Sequence, residues 1–397
     1  MRDPTSFLKV EYQELVDKAL DWKPREIQGP SEPIVNIDGK DMIMLCSNNY
    51  LGLTTHPRLK AAAISAIKRY GVGSGAVRPI SGTMDLHIEL EKRLAHFKNA
   101  EASLTYPTGF AANSGLISQL VGEGDLIISD ELNHGSIIDG IRLSRGERVV
   151  YKHNDSKNLA TVLEDAERHS PRYRRLLIIT DGVFSMDGDI TPLDDIAKLG
   201  KEYGAMIFVD DAHGEGVLGE NGRGIVNHFH LTHKDIHVEM GTFSKAYGTM
   251  GGHISGSLDL VKFAWNKSRT WLLSSSQPPS VAASTIAAID VLETEPDHVK
   301  NLWKNTNYFK KAVDDLGFNT GASATPIIPI IVGESIKAKA LADKLYEKGI
   351  FVVPIVFPMV TRDKARIRIQ MNSKLSVGQL DKVIAIITEI GKELEII

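Results

Sequence analysis

The chain has a single cysteine, Cys46, among 397 residues. That excludes an intrachain disulfide framework and fits a reducing compartment. It also lacks an excess of either charge: 46 Lys and Arg stand against 50 Asp and Glu, a net charge of −4. Such a balance carries no electrostatic footprint of a nucleic-acid binder. No apolar run reaches the ~18 residues that a membrane helix needs. The opening MRDPTSFLKVEYQELVDKALDWK mixes both charge signs with aliphatic residues and has no signal-peptide core. A soluble cytoplasmic protein is expected, with neither nucleic acid nor membrane as a partner.

What is present is length and pattern. The chain is long enough for two or three domains of about 100 to 200 residues. Leu8, Tyr12, Leu15 and Leu20 are spaced as on an amphipathic helix over residues 1–22, and Asp38-Gly39 marks a hairpin turn within IVNIDGKDMIML. From residue 100 onward, short apolar runs alternate with amphipathic stretches, as parallel strands joined by helices do. The runs LIIS, LLIIT, MIFVD and VEMGT each end in a polar segment. Beyond residue 253, TPIIPIIV, GIFVVPIVFP and ARIRIQM read as strands of a smaller second sheet. Ser376 with Gln379 forms a capping box before a last helix. The pattern predicts an α/β protein with an N-terminal segment (1–45), a large mostly parallel-sheet domain (46–285) and a smaller C-terminal α+β domain (286–397).

Ligands of open α/β sheets bind at the carboxyl ends of the strands. The four runs lead to His134, to Ser185, to Asp210 and His213, and to Lys245, so one rim should gather them. Lys245, within GTFSKAYGTMGG, can condense with an aldehyde cofactor if its neighbours keep part of it unprotonated. Pyridoxal 5'-phosphate (PLP) is the obvious aldehyde. Thr242 and Ser244 could reach its phosphate, as could the amides of Gly109 and Phe110 ahead of a probable helix. Asp210, ending a buried strand, needs a cationic partner, and a protonated pyridine nitrogen would serve; a helix N-cap is the plainer reading of that aspartate.

Two other patterns compete. Gly71, Gly73 and Ala76 match G-x-G-x-x-A, but the motif follows a helix instead of a strand, so a dinucleotide site is not expected; a loop bringing Arg78 and Ser81 toward a ligand is. In HFHLTHKDIH, His233 and His237 have the i, i+4 spacing of helix-borne zinc ligands. No glutamate completes that motif, so a solvated loop and no metal are expected.

Taken together, SNNYLGL, ISGTMDLHIELE, SDELNHGSIIDGIRLS, TDGVFSMDGD, VDDAHGEGVLGENGRG, GTFSKAYG and ARIRIQM resemble, in order and over essentially the whole chain, the motifs of the α-oxoamine synthases. These are fold-type I PLP enzymes that condense an amino acid with an acyl-CoA. The resemblance implies that Lys245 binds the cofactor covalently and later moves the substrate Cα proton. It implies that Asp210 pairs with the pyridine nitrogen, that His213 and Ser185 address the phenolic oxygen, and that His134 stacks on the ring beside the substrate. Gly109, Phe110 and Thr242 would hold the phosphate, joined by Ser274 and Ser275 of a neighbouring subunit, which implies a homodimer. Arg368 would grip the amino acid carboxylate, with Asn48 nearby; Arg366 is the position most easily confused with it.

Within that family the expected reaction is the glycine C-acetyltransferase one: glycine and acetyl-CoA give 2-amino-3-ketobutyrate and CoA, and the reverse. The lysine segment GTFSKAYG also resembles those of 8-amino-7-oxononanoate synthases, serine palmitoyltransferases and broad-specificity members, which are the alternatives. A non-catalytic partner subunit of the same fold is the alternative of another class.

Overall fold

β-Branched and aromatic side chains suit a pleated, buried surface, and the apolar runs become strands accordingly. The computed structural model describes residues 3–18, 20–21, 24–169 and 171–397. Its main sheet has seven strands, in the spatial order Ala102–Tyr106, Gly252–Gly256, Val238–Thr242, Met206–Asp210, Leu176–Asp181, Leu126–Asp130, Glu147–Tyr151. All run in one direction except Gly252–Gly256, which is antiparallel to both of its neighbours. The α/β, mostly parallel expectation holds.

Successive side chains on a strand point to opposite faces, and here both faces are covered. Ile128, Ile178, Ile207 and Val209 enter one apolar cluster, whereas Ile127, Leu177, Ile179 and Phe208 enter the other. Each such fully buried side chain is worth roughly 1.5–3 kcal/mol. The sheet is therefore a rigid platform whose strand ends present whatever polar residues follow.

Two smaller sheets flank it. Ile327–Gly333, Ala365–Gln370 and Pro354–Ile355 form one, with Ala365–Gln370 in the middle. Ile27–Gln28, Ile34–Ile37, Lys40–Met44 and Ile350–Phe351 form the other. GIFVVPIVFP, expected as one strand, is thus split between two sheets. Ile350 and Phe351 pair parallel with Ile43 and Met44, whereas Pro354 and Ile355 pair with Ile367 and Arg366. Pro354 and Pro358 lack the amide hydrogens that a longer ladder requires. The Asp38-Gly39 turn has positive φ at both positions (53° and 76°), as a tight hairpin demands.

The first helix is Ser6–Asp17, and none of its residues is buried. Phe7, Leu8, Tyr12 and Leu15 stay about half exposed. Residues 1–2, 19 and 22 of the expected span lie outside the described residues. The last helix, Val377–Glu393, begins with the expected reciprocal cap between Ser376 and Gln379. Among the described residues, no helix is long and apolar enough to cross a membrane.

Candidate active site

The strand ends converge as expected. One cavity of about 230 Å³ is lined by Gly109, Phe110, His134, Ser185, Asp210, His213, Thr242 and Lys245 together. Its geometry follows from the parallel register, which places Asp181 directly beside Asp210 on adjacent strands.

Lys245 lies in the turn between Val238–Thr242 and Gly252–Gly256, two strands paired over their full length. Its ammonium is destabilised by burial first; Arg368 adds repulsion, while Asp210 and Asp181 oppose, and the balance lowers its pKa to about 8. An amine held there is partly unprotonated near neutrality, as a nucleophile must be.

The floor holds two buried carboxylates. Asp210 accepts from Asn113 Nδ2 (2.7 Å) and from the Ala212 amide (3.0 Å), in a turn and not as a helix cap. Asp181 accepts from the His134 amide (3.1 Å), and its Oδ1 has no hydrogen-bond partner among the described residues. Burial and the neighbouring Asp210 push the Asp181 carboxyl well above its ordinary range, against the pull of Lys245. Sequence reasoning missed Asp181, although LLIITD ends in aspartate as MIFVD does; it missed Asn113 as well.

His134 caps the helix Gly135–Arg142, with Nδ1 2.7 Å from Ser136 Oγ, and its ring is exposed along the cavity. Removal from water and the charge of Lys245 lower its basicity, partly offset by Asp210. His213 is buried, and its Nδ1 lies 2.7 Å from Tyr50 Oη. Burial, Lys245 and Arg368 all hold the His213 ring neutral, while burial keeps Tyr50 protonated. Tyr50 lies within SNNYLGL, yet its partnership across the fold has no sequence signal.

The two arginines of ARIRIQM separate clearly. Arg366 donates to three acceptors, Asp187, the Met186 carbonyl (3.0 Å) and the Lys364 carbonyl (3.0 Å). Arg368 donates to one acceptor among the described residues, the Ser185 carbonyl (3.0 Å). Its guanidinium therefore retains donors for a ligand. Asn48 Oδ1 is buried without a hydrogen-bond partner among the described residues.

At the other end, the helix Gly109–Leu120 is capped by Thr108, whose side chain accepts from Ala111 (3.0 Å) and whose carbonyl accepts from Ala112 (3.1 Å). The Gly109 and Phe110 amides are left as first-turn donors, as an anion site requires. A Cβ on Gly252 would come within 2.5 Å of the Gly109 nitrogen, so this wall is as close as backbone allows.

Other expected residues lie elsewhere. Ser274 and Ser275 line a separate, smaller cavity with Arg78 and Trp271. Arg78 is not offered to a ligand in a flexible loop: it is buried in a two-point ion pair with Glu91 (2.8 and 3.1 Å) and also reaches Thr105. His233 and His237 are not on a helix. His233 Nε2 lies 3.2 Å from the Lys98 carbonyl, and His237 Nδ1 accepts from Ile207.

This donor set fits PLP. An amine of lowered basicity suits its aldehyde, the orphaned Asp181 Oδ1 and adjacent Asp210 suit its protonated ring nitrogen, and the first-turn amides suit its phosphate. Comparison with known proteins agrees. Residues 40–387 match the family model "Aminotransferase class I and II". The chain is 50% identical to an 8-amino-7-oxononanoate synthase from Symbiobacterium thermophilum, covering 99% of each chain. It is 48% identical to one from Thermoanaerobacter pseudethanolicus, covering 98% of each. Among solved structures it is similar to a serine palmitoyltransferase from S. paucimobilis with a bound PLP–myriocin adduct, at 29% identity and a TM-score of 0.92 over 100% of both chains.

Proposed function

The chain belongs to the PLP-dependent α-oxoamine synthases within the class I and II aminotransferase family, and from that premise we propose that it is an 8-amino-7-oxononanoate synthase. The observation that carries the proposal is the 50% identity over 99% of both chains to a relative of that name. It displaces glycine with acetyl-CoA as the leading expectation, since the relatives compared above carry the other name.

The product name fixes the substrates by carbon count. In 8-amino-7-oxononanoate the amine-bearing carbon and its methyl group match alanine after loss of carbon dioxide. The remaining seven carbons, from carboxylate to ketone, match a pimeloyl group. Alanine and a pimeloyl thioester thus give the product, carbon dioxide and the free thiol.

When bound, PLP supplies an electron sink for the amino acid carbanion. The chain supplies placement and proton transfer. Lys245 Nζ would hold the cofactor and, once free, would take and return the substrate Cα proton, for which a pKa of about 8 is well matched. Asp210 would keep the ring nitrogen protonated. With Tyr50 donating to His213 Nδ1, the His213 Nε2–H would be left, together with Ser185, for the phenolic oxygen. His134 would lie against the ring, Gly109, Phe110 and Thr242 would take the phosphate, and Arg368, with Asn48 beside it, would fork the carboxylate.

Ser274 and Ser275 lie outside this cavity, next to exposed Leu273, and Ser275 bridges Val77 in the segment that carries exposed Val72 and Ile80. We assign that apolar patch to a homodimer contact through which the two serines reach the partner's phosphate site. The division at residues 45 and 285 belongs to the same reading. The deciding experiment compares kcat/KM for alanine with pimeloyl-CoA against glycine with acetyl-CoA. A preference of ~100-fold or more for the first pair is expected, and the opposite preference refutes the assignment.

A further inference from the structure

Two loops that carry site residues are joined by a histidine outside the cavity. His153 follows the strand Glu147–Tyr151; its Nδ1 lies 3.0 Å from Asp130 Oδ1 and its Nε2 lies 2.7 Å from Asp189 Oδ2. A ring with a carboxylate oxygen on each nitrogen donates from both, and only the imidazolium has two N–H groups. Asn154 repeats the bridge, its amide on Asp130 Oδ2 (3.0 Å) and its side chain on Asp189 Oδ2 (2.6 Å).

What the bridge joins gives it meaning. Asp130 ends a strand and accepts the Leu132 amide (2.9 Å) in the loop that leads to His134. Asp189 closes the turn that contains Ser185, and the His153 ring packs edge-on against Phe184 at 4.3 Å. That same turn receives Arg368 on the Ser185 carbonyl and Arg366 on the Met186 carbonyl. His153 therefore spans the histidine proposed to stack on the cofactor and the turn that supports the arginine proposed to bind carboxylate.

We propose that His153 is a positioning residue that acts as an imidazolium, fixing the Ser185 turn, and through it Arg368, relative to His134. The inference rests on the cofactor reading of the cavity and is independent of the acyl donor. Burial opposes the charge, but the hydrogen bonds and charges of Asp130 and Asp189 prevail and raise the His153 pKa to about 10. The titratable groups around it are Asp130 and Glu131 on one loop, Asp189 on the other, and Tyr151 beside Asp130.

The test uses the full-length protein with and without PLP. In the cofactor-free protein, NMR should show the His153 ring still protonated at pH 9. H153Q should keep the absorbance of bound cofactor but weaken the response of that absorbance to L-alanine or glycine by ~10- to 100-fold, as a small misplacement of a binding group does. D189N leaves the ring in place and removes one anion; it should move the imidazole titration toward neutrality and bring amino acid affinity down with it as pH rises. A ring that titrates near its ordinary value overturns the proposal. So does unchanged amino acid affinity in both variants, with only a lower melting temperature. If H153Q does not fold, D189N decides. Failure of the acyl assignment would appear only when thioester is added, so the two outcomes are separable.

Discussion

Tyr50 Oη and His213 Nδ1, 163 positions apart in sequence, lie 2.7 Å from each other in the buried wall of the cavity. Both groups are held uncharged, so the contact is one neutral hydrogen bond that fixes the orientation of the imidazole. Tyr50→Phe strands a buried ring nitrogen, at a cost of about 1–3 kcal/mol. It should also lower kcat while leaving the KM for the acyl donor unchanged. Urea unfolding together with steady-state kinetics reads both effects.

Removing the amine is the harsher change. Lys245→Ala should retain PLP without a covalent bond and lose ~10²- to 10⁴-fold in kcat, the range for loss of a positioned acid–base group. Borohydride reduction followed by mass spectrometry should label the wild type at Lys245 and leave the variant unlabelled.

The paired carboxylates should respond differently. Burial and the neighbouring Asp210 push the Asp181 carboxyl well above its ordinary range, toward the neutral acid, so Asp181→Asn keeps its shape and should change kcat by less than ~10-fold. Asp210→Asn removes the anion that faces the ring nitrogen and should cost ~10²- to 10³-fold, as loss of a preorganised electrostatic partner does. Equal effects of the two substitutions would reverse this assignment.

The lysine's pKa of about 8 sets the pH dependence of cofactor attachment. The folded value is depressed, so the unprotonated fraction grows as pH rises through 8, and the rate of covalent PLP uptake should climb between pH 7 and 9. Arg368 is one of the groups that lower this value. Arg368→Gln should therefore move the midpoint upward, which stopped-flow absorbance can follow.

Beneath the lysine turn, Glu215 is buried against Lys98 Nζ (2.9 Å) and His253 Nε2 (2.8 Å). Burial alone would raise its pKa, but His253 and Lys98 outweigh that and bring it down to about 2. An unfolded glutamate titrates near ~4.3. The stabilisation is thus complete above about pH 4.3 and disappears as pH falls toward 2, and it amounts to a few kcal/mol. Glu215→Gln should be less stable at pH 7 and should flatten the stability curve between pH 5 and 3, as measured by urea midpoints.

Much of this site was legible because parallel strands convert linear order into a spatial row. An apolar run that ends in a polar residue marks the rim, which located His134, Ser185, Asp210, His213 and Lys245 without knowledge of the fold. Gly252–Gly256 was not read as a strand, since GHISG has no apolar alternation and is buried by its neighbours. The Tyr50–His213 contact and the separation of Arg366 from Arg368 depend on distant elements meeting, which no local pattern encodes. The motifs are silent about the acyl group: they hold the cofactor and do not encode the chain that condenses with it, so the choice among family members rests on whole-chain similarity to named relatives.

The reversed strand Gly252–Gly256 has a mechanical consequence. Both stems of the lysine turn are interior strands of the sheet, paired with each other from Val238 with Gly256 to Thr242 with Gly252. The turn between them is tied by backbone hydrogen bonds from Phe243 to Gly251 (3.0 Å) and from Gly248 to Lys245 (3.0 Å). Reach during turnover must come from rotation of four methylene groups, which makes Lys245 a short crane arm on a fixed pedestal.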